Sequence, residues 1–258
     1  MTEPHQTSTL PEEVVAAVRG ARRVLVLTGA GMSAESGVPT FRDAQTGLWE
    51  NFDPSQLATE EAWRDDPPFV WAWYAWRMQM VRGVDPNAGH RAVAELAALR
   101  EVMVVTQNID DLHERAGSAV TAHVHGSLYD LRCADCETPY TAEVRLPVEP
   151  EERIDPPTCP ECEGDVRPGV VWFGEMLPGD AVAATEAAID TLEPGDVALV
   201  VGTSGVVFPA AGYPAMARAE GATVIEVNPD ETEISDMCHH RVRGTAAEML
   251  PALVAAVA

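Results

Sequence analysis

Apolar residues recur along this chain in two rhythms. Runs at residues 24–27, 101–106, 119–124, 196–201 and 223–227 are short, valine-rich and nearly continuous. Continuous apolar runs of that length predict strands buried on both faces. Between them the apolar positions take helical spacing. Helices are predicted up to Arg19, over 67–83, 87–99, 180–192 and 210–220, and from 245 onward, with a short one ending at Arg115. The punctuation agrees: Thr9-Leu10-Pro11-Glu12 reads as a capping box, Gly20 as a stop, and Asp65-Asp66-Pro67 and Asn87 as helix starts. Alternating strands and helices predict an α/β fold, a parallel sheet wound on both faces. Phe69, Trp71, Trp73, Tyr74 and Trp76 crowd one helix too densely for a single stripe, so some must face a groove or a second layer.

Residues 127–168 break both rhythms. They are rich in proline, poor in large apolar residues, and carry Cys133-x-x-Cys136 and Cys159-x-x-Cys162. Such a segment could hardly build a core without a metal. Two close cysteine pairs suit a tetrahedral thiolate site. Four cysteine ligands leave no open position, so one structural zinc is expected; Cys238 stands apart. Chain length, 258 residues, allows one large core plus a smaller satellite. The first ten residues are polar, and no apolar run reaches the roughly 18 residues a bilayer requires. A cytoplasmic protein with no membrane partner is therefore expected. Formal charge is −24, and all 17 basic residues are arginine. That surface repels phosphate backbones, which makes direct nucleic-acid binding unexpected. It would suit concentrated salt, although a GC-rich genome explains the missing lysine equally well.

Candidate chemistry gathers at the predicted strand ends, where an open parallel sheet binds its ligands. Gly29 and Gly31 follow the first strand, as in a dinucleotide-binding turn that lets a pyrophosphate approach the backbone. The usual third glycine is replaced by Ala34. Polar groups also follow the later strands, at residues 107–110, His125-Gly126, 202–204 and Asn228-Pro229. His125 is a candidate general base, since imidazole titrates near neutrality; a structural histidine is the alternative.

The run from Gly29 to Arg42, Gly-Ala-Gly-Met-Ser-Ala-Glu-Ser-Gly-Val-Pro-Thr-Phe-Arg, closely resembles the signature of the sirtuins, NAD-dependent protein-lysine deacylases. Gln107-Asn108-Ile109-Asp110, His125-Gly126-Ser127, the cysteine quartet and Gly169-Val170-Val171-Trp172-Phe173-Gly174-Glu175 match that family in order. The resemblance implies a Rossmann-like domain (1–42, 89–128, 169–258). A smaller domain would join a helical insertion (43–88) to a zinc module (129–168). It implies NAD held by Gly29, Ala30, Gly31, Ser33, Glu35, Thr40, Phe41 and Arg42. Further contacts would come from Gln107, Asn108, Ile109 and Asp110, and on the adenosine side from Gly202, Thr203, Ser204, Asn228 and Ala246. His125, Asn108 and Asp110 would be catalytic. An acylated-lysine protein or peptide would pair with Val170, Val171, Phe173 and Gly174. Tyr74-Ala75-Trp76-Arg77 and Leu57-Ala58-Thr59 resemble the branch that removes succinyl, malonyl or glutaryl groups, with Tyr74 and Arg77 holding a carboxylate and Ala58 leaving room for it. Products would be free lysine, nicotinamide and O-acyl-ADP-ribose. A nicotinamide-dependent oxidoreductase, a protein ADP-ribosyltransferase and a zinc-ribbon binding module are the rival readings.

Overall fold

The computed structural model describes residues 10–40 and 57–258. Thr9, Phe41, Arg42 and the first part of the expected helical insertion lie outside them.

Six parallel strands form the main sheet in the order β3-β2-β1-β6-β7-β8. They are β1 (Arg23–Thr28), β2 (Glu101–Thr106), β3 (Val120–His123), β6 (Val197–Val201), β7 (Thr223–Val227) and β8 (His240–Val242). Chain order reverses between β1 and β6, which opens a ligand crevice at their carboxyl ends. Helices cover both faces. On one, α1 (Glu12–Gly20), α4 (Ala88–Leu96) and α8 (Ala246–Val257) pack on Val24, Val26, Leu199 and Ile225. On the other, α6 (Gly179–Asp190) and α7 (Tyr213–Ala219) pack on Leu25, Leu27, Val200 and Val224. Alternate residues of each strand thus feed opposite cores, which is why the runs contain no polar beat.

A smaller unit has its own core, built from α2 (Glu60–Asp65), α3 (Pro67–Arg82) and an antiparallel hairpin, β4 (Gly126–Cys133) with β5 (Val166–Val170). Asp66 caps α3 by accepting from the Phe69 amide at 3.2 Å, with Pro67 pre-set in its first turn. Trp71, Trp73 and Tyr74 are all buried, so the aromatic crowding reflects two packing layers. After β2, α5 (Leu112–Arg115) returns the chain to edge strand β3, which leads directly into β4 of this unit. Among the described residues no helix is long and apolar enough to cross a membrane.

Several local expectations are corrected. Helix α1 begins at Glu12 behind Pro11, whose carbonyl receives the Val14 and Val15 amides and which has no side-chain cap; Thr9, the cap expected from sequence, lies outside the described residues. The extended piece expected at 169–175 is strand only as far as Val170. Strand β8 was not foreseen, because His-Arg-Val carries no apolar run; backbone pairing with Ile225 to Val227 makes it a strand.

Candidate active site

At the crevice, β1 leads into two three-residue 3-10 turns, Ala30–Met32 and Ala34–Ser36, instead of a long helix. The Gly29 amide donates to the Val201 carbonyl at 3.0 Å, and Gly31 to Gly202 at 2.8 Å. A Cβ on Gly31 would stand 2.8 Å from the Gly202 Cα. One on Gly202, whose φ is +62°, would stand 2.4 Å from the Met32 nitrogen. The glycines are therefore required first by two loops packing on each other, and those two amides are spent there. This packing is a further demand on the same glycines, beside the tight turn and the phosphate approach expected from sequence.

Side chains converge below this lock. Ser33 Oγ donates to Asp110 Oδ2 at 2.9 Å and accepts from Asn108 Nδ2 at 3.1 Å. Asp110 Oδ1 accepts from the Leu112 amide at 3.1 Å. Burial pushes the Asp110 carboxyl above its ordinary value, opposed by the Leu112 and Ser33 hydrogen bonds. Gln107 Nε2 donates to Thr203 Oγ1 at 3.1 Å, and Asn228 Nδ2 to the Thr203 carbonyl at 3.0 Å. Three strand-end loops are thus tied at one threonine. Ser204 joins the next loop by accepting from the Glu233 amide, and the Ile109 carbonyl receives Leu128 of β4. Glu35 accepts from the Ala247 amide at 2.8 Å, where its charge complements the start of α8. Ala246 is buried, its backbone against Gly89.

His125 is half-buried, with Nδ1 3.1 Å from the Gln107 carbonyl. A carbonyl only accepts, so Nδ1 carries the proton and Nε2 the lone pair. Burial, opposed by that hydrogen bond, holds the imidazole below its ordinary pKa. Its own carbonyl receives the Val171 amide at 2.9 Å, and the Phe173 amide reaches the Ala58 carbonyl at 2.9 Å. Residues 170–174 therefore run from His125 to residue 58, turning at Gly174 with φ +92°. Under that segment, Tyr74 Oη accepts from Trp172 Nε1 at 2.9 Å, which leaves its own proton to donate. Arg77, one turn on and also buried, stacks 5.1 Å from the Trp73 ring. Burial lowers its pKa, against the Tyr74 and Asp110 charges. Thr40 ends the described part of its loop.

At the far end of the smaller unit the ligand atoms of Cys133, Cys136, Cys159 and Cys162 all lie within 4.8 Å of one another. Cys133 and Cys162 Sγ are 3.4 Å apart, Cys136 and Cys159 3.8 Å. Tetrahedral zinc with bonds of ~2.3 Å places thiolates about 3.8 Å apart. The donor set fits zinc in both chemistry and spacing. Each pair is followed by a left-handed residue, Glu137 at φ 58° and Glu163 at φ 63°, which folds the chain back into a knuckle.

Residues 29–209 match the Sir2 family. The chain belongs to that family. A relative from Mycolicibacterium paratuberculosis, named NAD-dependent protein deacylase, is 52% identical over 236 residues, 90% of this chain and 96% of the relative. A solved Sir2 homologue in complex with NAD shares 42% identity with a TM-score of 0.88, covering 98% of this chain and 96% of that one. A Sir2 structure with a deacetylated peptide and 3′-O-acetyl-ADP-ribose shares 30% identity with a TM-score of 0.77, covering 93% and 95%. The sirtuin resemblance is thereby shown.

Two residues of this Sir2 site escaped the sequence reading. His90 Nε2 lies 3.4 Å from Ser33 Oγ, and His113 Nε2 3.1 Å from Thr28 Oγ1, which in turn donates to Thr106 at 2.8 Å. Their rings meet edge to face, 4.9 Å between centroids. Burial lowers His90 to about 4 and His113 to about 3, so both are neutral at pH 7. A signal existed for His90: Asn87 caps α4, which sets His90 in the first turn of α4.

Proposed function

We propose that this protein is an NAD-dependent protein-lysine deacylase, and that it favours acyl groups ending in a carboxylate. The observation that carries the reading is His125. Its Nδ1–H is pinned by the Gln107 carbonyl, so a neutral base faces the crevice beside the Ser33–Asn108–Asp110 cluster. The relatives' names and the NAD-bound homologue support the cofactor and the reaction class.

Bound NAD supplies an electrophilic ribose carbon and a leaving nicotinamide. Gly29, Ala30, Gly31 and Ser33, with Thr40 and Gln107, would line its reacting side; Phe41 and Arg42, which the sirtuin resemblance adds, lie outside the described residues. Gly202, Thr203, Ser204, Asn228 and Ala246 serve the adenosine side, and Glu35 fixes the helix start beside it. Asp110 and Asn108 orient the reacting end, and Ile109 ties their loop to β4. With NAD bound, His125 Nε2 would be the base that accepts the proton of a ribose hydroxyl, the oxygen to which the acyl group would pass as the lysine amine leaves. The peptide lies along Val170, Val171, Phe173 and Gly174 by strand addition. Tyr74 Oη, whose proton is uncommitted to Trp172, and the Arg77 guanidinium share a helix face that can hold an acyl carboxylate in an otherwise apolar wall. Ala58, small and buried, leaves space for the longer chain. One zinc at the four cysteines holds the smaller unit together and takes no part in the reaction.

The test is incubation of acyl-lysine peptides with NAD. The expected products are free lysine peptide, nicotinamide and O-acyl-ADP-ribose. Reduced cofactor instead would support an oxidoreductase, and a mass increment left on a protein would support an ADP-ribosyltransferase.

A further inference from the structure

His123 and His125 stand two apart at the end of edge strand β3, and both ring Nδ1 atoms reach back to the loop after β2. They engage adjacent carbonyls: His125 that of Gln107 at 3.1 Å, His123 that of Asn108 at 3.0 Å. The other nitrogens differ. His123 Nε2 lies 2.7 Å from Glu114 Oε1 on α5. A carbonyl and an ionised carboxylate both accept only, so both nitrogens of His123 must donate. A neutral imidazole cannot do that; His123 is held as an imidazolium, while two residues on His125 stays neutral.

Resting on the deacylase reading, we propose that His123 is a positioning residue for the reaction: paired with Glu114, it clamps the Asn108 carbonyl and holds the loop of Asn108 and Asp110 in its reactive shape. Its charge also faces the Asp110 carboxylate. The surroundings are consistent with this. Burial alone would lower the His123 pKa, but the hydrogen bonds to Glu114 and Asn108 and the charges of Glu114 and Asp110 outweigh it and raise the group. Burial would raise Glu114, but the hydrogen bonds from His123 and from its own backbone amide, with the His123 charge, together outweigh it, so Glu114 is held low and ionised. The other charged groups near this cavity of about 450 Å³ are Asp111 on the same loop, Arg82 on α3 and Asp130 on β4; Tyr129 also lines it. Neutral His113, on α5, is the remaining titratable neighbour.

The raised group keeps its clamp below its own pKa and loses it as pH rises through that value. The lowered His125 gains its lone pair as pH rises through a value below the ordinary one. Between the two the site is complete, so turnover should follow a bell-shaped profile whose alkaline limb belongs to His123. The test follows the imidazole resonances by NMR and kcat/KM for NAD against pH, in wild type and in Glu114→Gln. Removing the carboxylate should lower the His123 pKa by about one unit or more. The alkaline limb should move down with it, while KM for the acyl peptide and the melting temperature stay close to wild type. An alkaline limb that ignores Glu114→Gln, or a His123 that titrates at or below the ordinary histidine value in wild type, overturns the proposal alone. A wild-type protein that releases no nicotinamide overturns the deacylase reading, and this proposal with it.

Discussion

Under the proposed function, acyl preference rests on two buried polar residues of one helix face. Tyr74 and Arg77 both sit buried in the smaller unit. Arg77→Met removes the guanidinium while keeping apolar bulk. It should lower kcat/KM for succinyl-lysine peptide by ~100-fold or more, as for a lost charge-assisted bidentate contact. Acetyl-lysine turnover should change far less. Equal loss of both activities, measured with matched peptides, would contradict a carboxylate role. Legibility at this scale was uneven. His125, Asn108 and Asp110 stood out because polar residues ending apolar runs break the pattern. His113 did not, since a histidine in a four-residue helix looks like any other polar residue until the fold buries it against Thr28.

At the scale of elements, the crevice depends on how closely the β1 and β6 loops approach. Gly202→Ala would force a left-handed alanine whose Cβ meets the Met32 nitrogen at 2.4 Å. The expected cost is roughly 2–4 kcal/mol in chemical denaturation. Gly179→Ala at the start of α6, with nothing within 4 Å of the added carbon, should be close to neutral. Similar costs at both positions would show that the loop contact is not tight. In the smaller unit, residues 134–165 contain no named strand or helix and rest on two knuckles. Chelating the metal should raise amide exchange across that segment while β1 and β6 stay protected. Unchanged protection after metal release would count against the metal as the support of the module. The cysteine spacing made this site legible. The β4–β5 hairpin that carries it was not, because its pairing joins residues 126–133 to 166–170 across a long irregular insertion.

Across the whole molecule, charge is divided unequally. Arginines bridge elements, as Arg23 to Asp196, Arg167 to Glu175, Arg243 to Glu226 and Arg153 to Asp66. The remaining acidic excess, within a net −24, repels itself at low salt. Raising salt from 0.1 to 1 M shortens the screening length from about 10 to about 3 Å, so the melting temperature should rise. A steady fall would contradict this account. A parallel sheet wound on both faces was legible in the alternation of valine runs and helices, but the strand order β3-β2-β1-β6-β7-β8 is a property of packing and appears only in three dimensions. The measurement that bears most directly on the central claim compares wild type with His125→Ala, each given a succinyl-lysine peptide and NAD, with products followed by mass spectrometry. Wild type should release nicotinamide and yield deacylated peptide with O-succinyl-ADP-ribose, and the variant should fold normally yet form almost none of the acylated nucleotide. Near-normal product from His125→Ala, or no nicotinamide from wild type with any acyl-lysine peptide, would contradict it.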